Sequence, residues 1–312
     1  MAHTLFYASL WMFCSVSMIL FNKAILSSYD FPFPMFLTTW HMLSATVLTQ
    51  ILAAKTDLLP GVKENKVDLG VLLRQILPVA ACFAASLVCS NHAYIYLSVS
   101  YIQMLKACTP VVVLALSVAA GIHRTSVVEV NIVLLICIGV IITSMGELRF
   151  STIGFVFQCL GVFFESCRLT LTGLFLQNLS LDALSTLYYI APFCGCMIGT
   201  ACLFTEVGDL PFDRIAQWDF IGIMMLNASV AFSLNVATVL LIKHSSPLTL
   251  TLAGIIKDVL LVFLSLAIFG APVSGLQYAG YAVSLLSLNL HKEYKKNPIG
   301  GEEFKKIPIG GG

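Results

Sequence analysis

Charged residues are scarce in this sequence. They make up 11% of its 312 residues, whereas soluble domains carry about 25%. Hydrophobic residues make up 58%, and a single soluble core, which stops growing beyond about 250–300 residues, cannot bury that much apolar surface. Lipid can cover it. The composition therefore excludes an ordinary soluble protein and predicts a polytopic membrane protein.

The usual signatures of catalysis and nucleotide hydrolysis are also missing. There is no GxxxxGK[ST] phosphate loop, no GxSxG nucleophile elbow and no HExxH metal motif. A net charge of +1 gives no basic field to attract nucleic acid. Cys194 and Cys196 lie in an apolar run without the histidine partners of a metal site. We therefore expect no enzyme activity, no cofactor, no bound metal and no nucleic-acid partner.

What the sequence does contain is a series of long apolar runs. A spanning helix needs about 20 mostly apolar residues, and runs of this kind predict an all-α fold of ten transmembrane helices. Their approximate ranges are 4–21, 34–54, 75–97, 99–121, 128–146, 152–177, 184–205, 218–242, 246–270 and 272–290. They form one transporter domain over residues 1–291. The polar, Gly- and Pro-containing residues 292–312 are predicted to be a disordered cytosolic tail.

The loops between these helices predict the orientation, because cytosolic loops carry an excess of Lys and Arg. One side holds eleven such residues and the other three, namely Lys23, Arg149 and Arg214. Both termini lie on the eleven-residue side and are therefore expected to be cytosolic. The eleven are Lys55, Lys63, Lys66, Arg74, Arg124, Lys243, Lys292, Lys295, Lys296, Lys305 and Lys306.

Five charged residues lie well inside the predicted helices, away from their ends. They are Lys106, Glu165, Arg168, Lys257 and Asp258. Each charge costs roughly 2.5–3.5 kcal/mol at the centre of a spanning helix, so such residues usually face a cavity or a partner and serve a function. Their sum of +1 suits an anionic substrate such as a sugar phosphate, a nucleotide sugar or an organic acid.

The two lysines among them occupy corresponding positions in the two halves of the sequence. Lys106 falls in the fourth predicted helix and Lys257 in the ninth, five helices later, and each follows a Ser/Thr-containing entry. Five is odd, so two five-helix halves have opposite orientations. The spacing predicts two inverted repeats, approximately 4–146 and 152–290, with substrate bound near the midplane between them.

The helical neighbours of these charges complete the predicted site. Gln103 lies three residues before Lys106 on the same face, and Pro110 removes the partner of a backbone carbonyl. Thr251 and Tyr94 are candidate hydrogen-bonding residues. A structural role in helix contacts or an interfacial aromatic belt is the alternative for each.

Glu165 and Arg168 have the i, i+3 spacing of an ion pair within one helix. Arginine can grip phosphate with two hydrogen bonds, so we expect Arg168 to bind substrate and Glu165 to orient it, with simple mutual neutralisation as the alternative. Asp258 cannot share the face of Lys257, because adjacent residues diverge by about 100° on a helix. We expect Asp258 to orient the helix by pairing elsewhere.

Several segments resemble the nucleotide-sugar and triose-phosphate translocators of the ten-helix drug/metabolite transporter superfamily. They are FNK at 21–23, FPFPMFLTTWHM at 31–42, NHAYIYLSVSYIQMLKACTP at 91–110, FESCRLTL at 164–171, STLYYIAPFCG at 185–195 and SPLTLTLAGIIKDVLLV at 246–262. The Lys-Asp pair at 257–258 is similar to the so-called KD subgroup. The match runs from about residue 5 to residue 291.

The resemblance implies an antiporter of the Golgi or endoplasmic reticulum membrane. It would exchange a nucleotide sugar for a nucleoside monophosphate, or a sugar phosphate for phosphate. Plastid members carry Lys-Arg where this chain has Lys257-Asp258, the GALNK signature of GDP-mannose carriers is absent, and no Arg- and Ser-rich transit peptide precedes the first span. A plastid address is therefore not expected. The oligomeric state is open, with a homodimer among the options.

Two other functions fit the residues. A proton-coupled carrier or exporter of a small organic anion would use Glu165 or His92 as its proton site, and its transport would respond to a pH gradient without a counter-substrate. A membrane protein without transport would leave five costly intramembrane charges without a purpose.

Overall fold

A computed structural model of the chain describes residues 2–64, 67–121, 126–148, 150–172, 183–244, 247–270 and 273–296. Within these residues all regular structure is helical, as the composition predicts. The α-helices are α1 (Ala2–Lys23), α2 (Pro34–Lys55), α3 (Pro60–Lys63), α4 (Leu69–Val71), α5 (Leu77–Tyr96), α6 (Val99–Lys106), α7 (Thr109–Ala119), α8 (Val127–Met145), α9 (Thr152–Leu171), α10 (Ala183–Thr205), α11 (Phe212–Ile215), α12 (Trp218–His244), α13 (Pro247–Phe269) and α14 (Gly275–Lys296).

Two helices are extended by π-helical turns. Ala24–Ser28 continues α1, and Leu72–Ile76 joins α4 to α5. Seven helices in the described part of the chain are long and apolar enough to cross a membrane, which confirms a polytopic membrane protein. They are Leu5–Ser28, Leu69–Tyr96, Val99–Ala119, Val127–Met145, Thr152–Leu171, Leu184–Thr205 and Trp218–Thr238. The remaining long helices are α2, α13 and α14, and ten transmembrane helices in two inverted repeats stay a prediction.

The helix ends follow from local sequence. Ser98, Ser126 and Ser151 accept hydrogen bonds from the backbone N–H groups two or three residues into α6, α8 and α9, which satisfies donors that have no partner inside the helix. Glu129 completes a capping box at the start of α8. At the other end of the chain, α14 continues to Lys296. The predicted disordered tail is therefore wrong for residues 292–296, and its remainder, 297–312, lies outside the described residues.

The fourth predicted span is interrupted in its middle, between α6 and α7. Pro110 has no N–H to donate to the carbonyl of Lys106, four residues earlier. The backbone tightens at this point, and Ala107 and Cys108 donate to carbonyls three residues back, at 3.2 and 3.1 Å. Lys106 is thus the last residue of α6, at a break in a membrane-spanning helix.

Glycines let neighbouring helices approach closely. A Cβ atom on Gly139 of α8 would lie 2.7 Å from the carbonyl oxygen of Gly280 in α14, and one on Gly280 would lie 2.5 Å from the carbonyl oxygen of Gly139. On α9, a Cβ on Gly161 would lie 2.9 Å from Oγ of Ser90 in α5. Small residues serve this purpose in membrane proteins, where lipid gives no hydrophobic drive for helices to associate.

The helix contacts follow a regular pattern. The most extensive are α8 with α14, α5 with α9, α2 with α10 and α1 with α12. Further contacts join α7 with α9, α1 with α13, and α6 with α13. The bundle therefore packs helices from the first half of the chain mainly against helices from the second half.

Candidate functional site

A cavity of about 480 Å³ lies inside the bundle, between α1, α2, α5, the α6–α7 break, α9 and α12. Its volume falls within the range of about 300–1,000 Å³ that is typical of ligand sites. More than half of its lining residues carry polar side chains. The polar lining residues are Asn22, Thr38, His41, Ser86, Ser90, Asn91, Tyr94, Lys106, Thr109, Gln158, Glu165 and Asn235.

Lys106 supplies the positive charge in this lining. Its side chain is half-buried at the end of α6. No described residue lies within hydrogen-bonding or ion-pairing distance of its ammonium group. A lysine so placed has no counter-charge in the part of the chain that the structure describes, and an anion in the cavity can neutralise it.

Glu165 also lines the cavity, and it is paired. Nη2 of Arg168 lies 2.5 Å from Oε1 of Glu165, and Nε lies 2.8 Å from Oε2. This two-pronged contact confirms the ion pair that the i, i+3 spacing predicts. Ser86 donates to Oε2 at 3.4 Å, and the guanidinium stands over the ring of Phe83 at 5.0 Å. Arg168 itself is absent from the cavity lining.

A chain of polar side chains forms another part of the wall. Nε2 of His41 is hydrogen-bonded to Oδ1 of Asn227, whose Nδ2 donates to Oδ1 of Asn22 at 3.1 Å. Nearby, Nδ2 of Asn91 donates to Oγ1 of Thr38 at 2.7 Å. These bonds tie α1, α2, α5 and α12 together around the cavity and hold the polar wall in place.

Of the residues predicted from sequence, Tyr94, Lys106 and Glu165 line the cavity together. Gln103 does not; it is 3% exposed, and its Nε2 has no partner among the described residues. The side chain of Thr251 lies outside the described residues. Sequence reasoning missed Asn22, Thr38, His41 and Gln158, although each is a polar residue within or beside an apolar run.

Lys257 lies away from the cavity lining. Its Nζ stands 5.7 Å from the centre of the Trp11 ring and 3.1 Å from Oδ1 of Asp258. The expectation that Asp258 pairs elsewhere is therefore wrong. Adjacent Cα–Cβ bonds diverge, but the long lysine stem bends back far enough to bring its ammonium group to the carboxylate of the next residue.

One end of the bundle beside the cavity is closed by packing. Lys23, which the sequence places in a loop, is the last residue of α1, and its ammonium group donates to the carbonyls of Tyr94 and Leu97 at the C-terminus of α5. At this end Glu206 accepts from the backbone N–H groups of Met35 and Phe36, at 3.0 and 2.8 Å. The ring of Phe31 is fully buried nearby. A positive group at a helix C-terminus and a negative group at a helix N-terminus both complement the helix dipole.

A model of the triose-phosphate transporter family matches residues 2–291. A probable sugar phosphate/phosphate translocator of Arabidopsis thaliana is 34% identical over 96% of this chain and 86% of its own length, and a second one is 34% identical over 93% and 86%. The UDP-uronic acid transporter 1 of the same plant is 29% identical over 94% and 96%.

A solved crystal structure superposes with a TM-score of 0.54 at 13% identity, covering 95% of this chain and 98% of its own. This likeness concerns the fold alone. The family match covers nearly the whole described bundle, including every helix that lines the cavity. The chain belongs to the triose-phosphate transporter family.

Proposed function

We propose that the chain is a secondary antiporter that moves a phosphorylated sugar across an endomembrane in exchange for inorganic phosphate or a nucleoside monophosphate. The observation that carries this proposal is Lys106, a cation that lines a polar cavity at a helix break and has no ionic partner among the described residues. Two of the relatives described above are named as probable sugar phosphate/phosphate translocators, which favours a sugar phosphate as substrate. Another relative is named as a UDP-uronic acid transporter, so a nucleotide sugar is the second substrate class.

The position of Lys106 suits an anion for two reasons. An ammonium group in a low-dielectric interior is costly unless an opposite charge approaches it, so an anionic substrate would stabilise it. Transporters also place substrates beside interrupted helices near the membrane midplane. Tyr94, Gln103 and Thr251 are proposed to add hydrogen bonds, and Lys257 is proposed as a second cation that substrate reaches when the two halves move.

The helix contacts support the proposal of two inverted five-helix repeats. In this symmetry α1 corresponds to α9, α2 to α10, α5 to α12, α6 and α7 to α13, and α8 to α14. The α5–α9 contact then corresponds to α12–α1, and the α7–α9 contact to α13–α1. Both of these contacts are present. The α2–α10, α8–α14 and α6–α13 contacts map onto themselves. Such symmetry allows one half to rock against the other around a fixed central site.

The hydrogen bonds of Lys23 and Glu206 support a conformation closed at their end of the bundle. In the predicted topology this end faces the lumen of the Golgi or endoplasmic reticulum. Alternating access then requires these bonds to break when the lumenal side opens.

Cysteine labelling tests the proposed topology. We expect an Asp57→Cys variant to gain a membrane-impermeant maleimide label on intact, cytosolic-side-out vesicles, because Asp57 lies in a connection on the eleven-charge side. An Asp209→Cys variant should gain label only after the vesicles are permeabilised. Both positions are exposed in the structure. The unsubstituted protein provides the background, and the opposite labelling pattern would invert the topology.

Counterflow in liposomes tests the antiport. Purified protein should take up labelled phosphate rapidly when the vesicles are preloaded with phosphate or a sugar phosphate and slowly when they are empty. Preloading with UMP, with labelled UDP-sugars outside, tests the nucleotide-sugar arm. Uptake that is equally fast into empty vesicles would exclude obligatory exchange.

A proton-coupled carrier of small organic anions is the second candidate, and the carboxylate of Glu165 in the cavity lining favours it. His92 is the weaker proton site, because its Nδ1 is hydrogen-bonded to the carbonyl of Val88 and its ring stacks on Phe157. The same vesicles separate the two functions. Uptake driven by an imposed pH gradient without internal substrate would support proton coupling.

A further inference from the structure

Gln158 is a buried polar residue of the cavity lining that the proposed mechanism does not use. It lies near the middle of α9 and is 0% exposed. Neither Nε2 nor Oε1 has a hydrogen-bond partner among the described residues. It belongs to the lining of the polar cavity and also to that of a second, almost wholly apolar cavity of about 530 Å³.

A buried amide without a protein partner is unfavourable. A buried amide loses its hydrogen bonds to water and regains them only from a partner, and most buried side-chain polar groups in proteins have one. The neighbouring polar wall shows the ordinary outcome, since the amides of Asn22, Asn91 and Asn227 are all hydrogen-bonded. Both polar atoms of Gln158 can therefore form hydrogen bonds with a substrate in the adjacent cavity.

The chemistry of the amide selects the part of the substrate that fits. An amide presents a donor next to an acceptor. The dianionic phosphoryl group of a phosphate ester carries only acceptors, which Oε1 repels, whereas a hydroxyl group, or the edge of a nucleobase, offers both a donor and an acceptor. Gln158 thus complements an uncharged group, while the cation Lys106 complements the phosphate.

Spacing along α9 agrees with this division. Gln158, Gly161 and Glu165 follow one another at helical intervals on the cavity side. Gly161 has no side chain to fill the space between the two polar groups. Gln158 and Glu165 are seven residues apart, which corresponds to about 10 Å along the helix.

We propose that Gln158 is a specificity-determining residue that binds the uncharged part of the substrate, through a sugar hydroxyl or a base edge, and leaves phosphate binding to Lys106. This inference rests on the proposed exchange of organic phosphates for phosphate. It assigns discrimination between phosphate and its esters to one side chain.

The test compares Gln158→Leu with the wild-type carrier in liposomes. Leucine removes both hydrogen-bonding groups at similar volume. We expect counterflow of inorganic phosphate to keep its KM within about twofold, and the inhibition constants of glucose 6-phosphate or UMP against that counterflow to rise about 10-fold, as the loss of a hydrogen bond predicts. A rise for glucose 6-phosphate identifies a sugar contact, and a rise confined to UMP identifies a base contact.

Two further variants guard against a folding artefact. Gln158→Met keeps the unbranched shape and should behave like Gln158→Leu. Gln50→Leu makes the same chemical change at an exposed position of α2, outside the cavity lining, and should leave every constant unchanged. Thermal stabilisation of the detergent-solubilised variants by each compound provides a measurement of binding that does not depend on transport.

The outcomes separate this inference from the proposed function. Equal losses for phosphate and its esters, or no loss for either, would overturn the role of Gln158. A wild-type carrier that exchanges phosphate but is neither inhibited nor stabilised by either ester would overturn it as well, while leaving anion exchange intact. A wild-type carrier that neither binds nor exchanges phosphate or the esters would overturn both.

Discussion

A Lys106→Met variant is expected to lose anion exchange while remaining folded in the membrane. The ammonium group has no partner among the described residues, so methionine removes a buried charge without leaving another stranded. The substrate phosphate loses its charge-assisted hydrogen bonds. At about 3 kcal/mol for such contacts, and 1.4 kcal/mol for each factor of ten, exchange should fall by about 100-fold. Counterflow of labelled phosphate measures the loss.

Controls separate loss of binding from loss of protein. Lys55→Met makes the same change at an exposed position at the end of α2 and should leave exchange and yield unchanged. Lys106→Arg retains the charge and should preserve part of the activity, although guanidinium and ammonium differ in shape. Normal exchange by Lys106→Met would contradict the site assignment. Absence of the folded variant, judged by size-exclusion chromatography, would give Lys106 a structural role instead.

Replacing Lys257 by methionine is expected to reduce anion exchange by a comparable factor, for a different reason. In this conformation its ammonium group contacts Asp258 and the Trp11 ring, outside the cavity lining. Trp11, which Lys257 contacts, lies seven residues before Met18, a cavity residue on the same face of α1, and seven residues span about 10 Å along a helix. Rocking of the two halves would therefore have to bring Lys257 to the anion.

The membrane-spanning helices were predictable because a bilayer imposes a length and a composition on any helix that crosses it. The span predicted at 99–121 appears as Val99–Ala119, and that at 152–177 as Thr152–Leu171 up to the limit of the described segment. Local chemistry was predictable too. The Glu165–Arg168 pair follows from residue spacing within one helix, and the break after Lys106 follows from the missing N–H of Pro110.

The cavity lining was much less predictable. In a soluble protein, the apolar stripe of a helix shows which face turns inward. In a membrane, lipid and the protein interior are both apolar, so this signal largely disappears. Neither the position of His41 and Gln158 in the cavity lining nor the burial of Gln103 away from that lining was visible in the sequence. Both depend on how several helices pack together, and the glycine contacts such as Gly161 against Ser90 set that packing.

Asp258 shows a second limit of sequence reasoning. Helical periodicity fixes the direction of each Cα–Cβ bond, and on that basis Lys257 and Asp258 should diverge. Periodicity says nothing about the conformation of a four-carbon side chain, which brings the two charged ends to 3.1 Å. Short side chains obey the helical wheel more closely than long ones do.

The final prediction concerns Glu165 and Arg168, for which sequence left two roles open. The structure gives Glu165 a place in the cavity lining and gives Arg168 a two-pronged bond to it, outside that lining. Arg168→Met alone should then sharply reduce exchange, because a carboxylate remains in the cavity without its counter-charge and repels an anionic substrate. Adding Glu165→Gln removes the stranded charge, and exchange should recover to within about 10-fold of the wild type.

A matched pair on the surface serves as the control. Nζ of Lys63 lies 2.5 Å from Oδ1 of Asp57, in a connection where Asp57 is 96% exposed. Exposed ion pairs contribute little to stability, because water and salt screen them. Asp57→Asn, Lys63→Met and their combination should therefore all exchange phosphate normally, which shows that the effects at α9 come from charge inside the bundle.

Recovery in the double variant at α9 would assign Arg168 to the control of the Glu165 charge. If the double variant stays inactive while Glu165→Gln alone is active, the guanidinium contacts the substrate itself. Arg168→Lys adds an independent measurement. An ammonium group can neutralise Glu165 but cannot reproduce a two-pronged contact with phosphate. Near-normal exchange by Arg168→Lys is therefore expected, because in this conformation Arg168 bonds to Glu165 and Lys106 is the cation that lines the cavity.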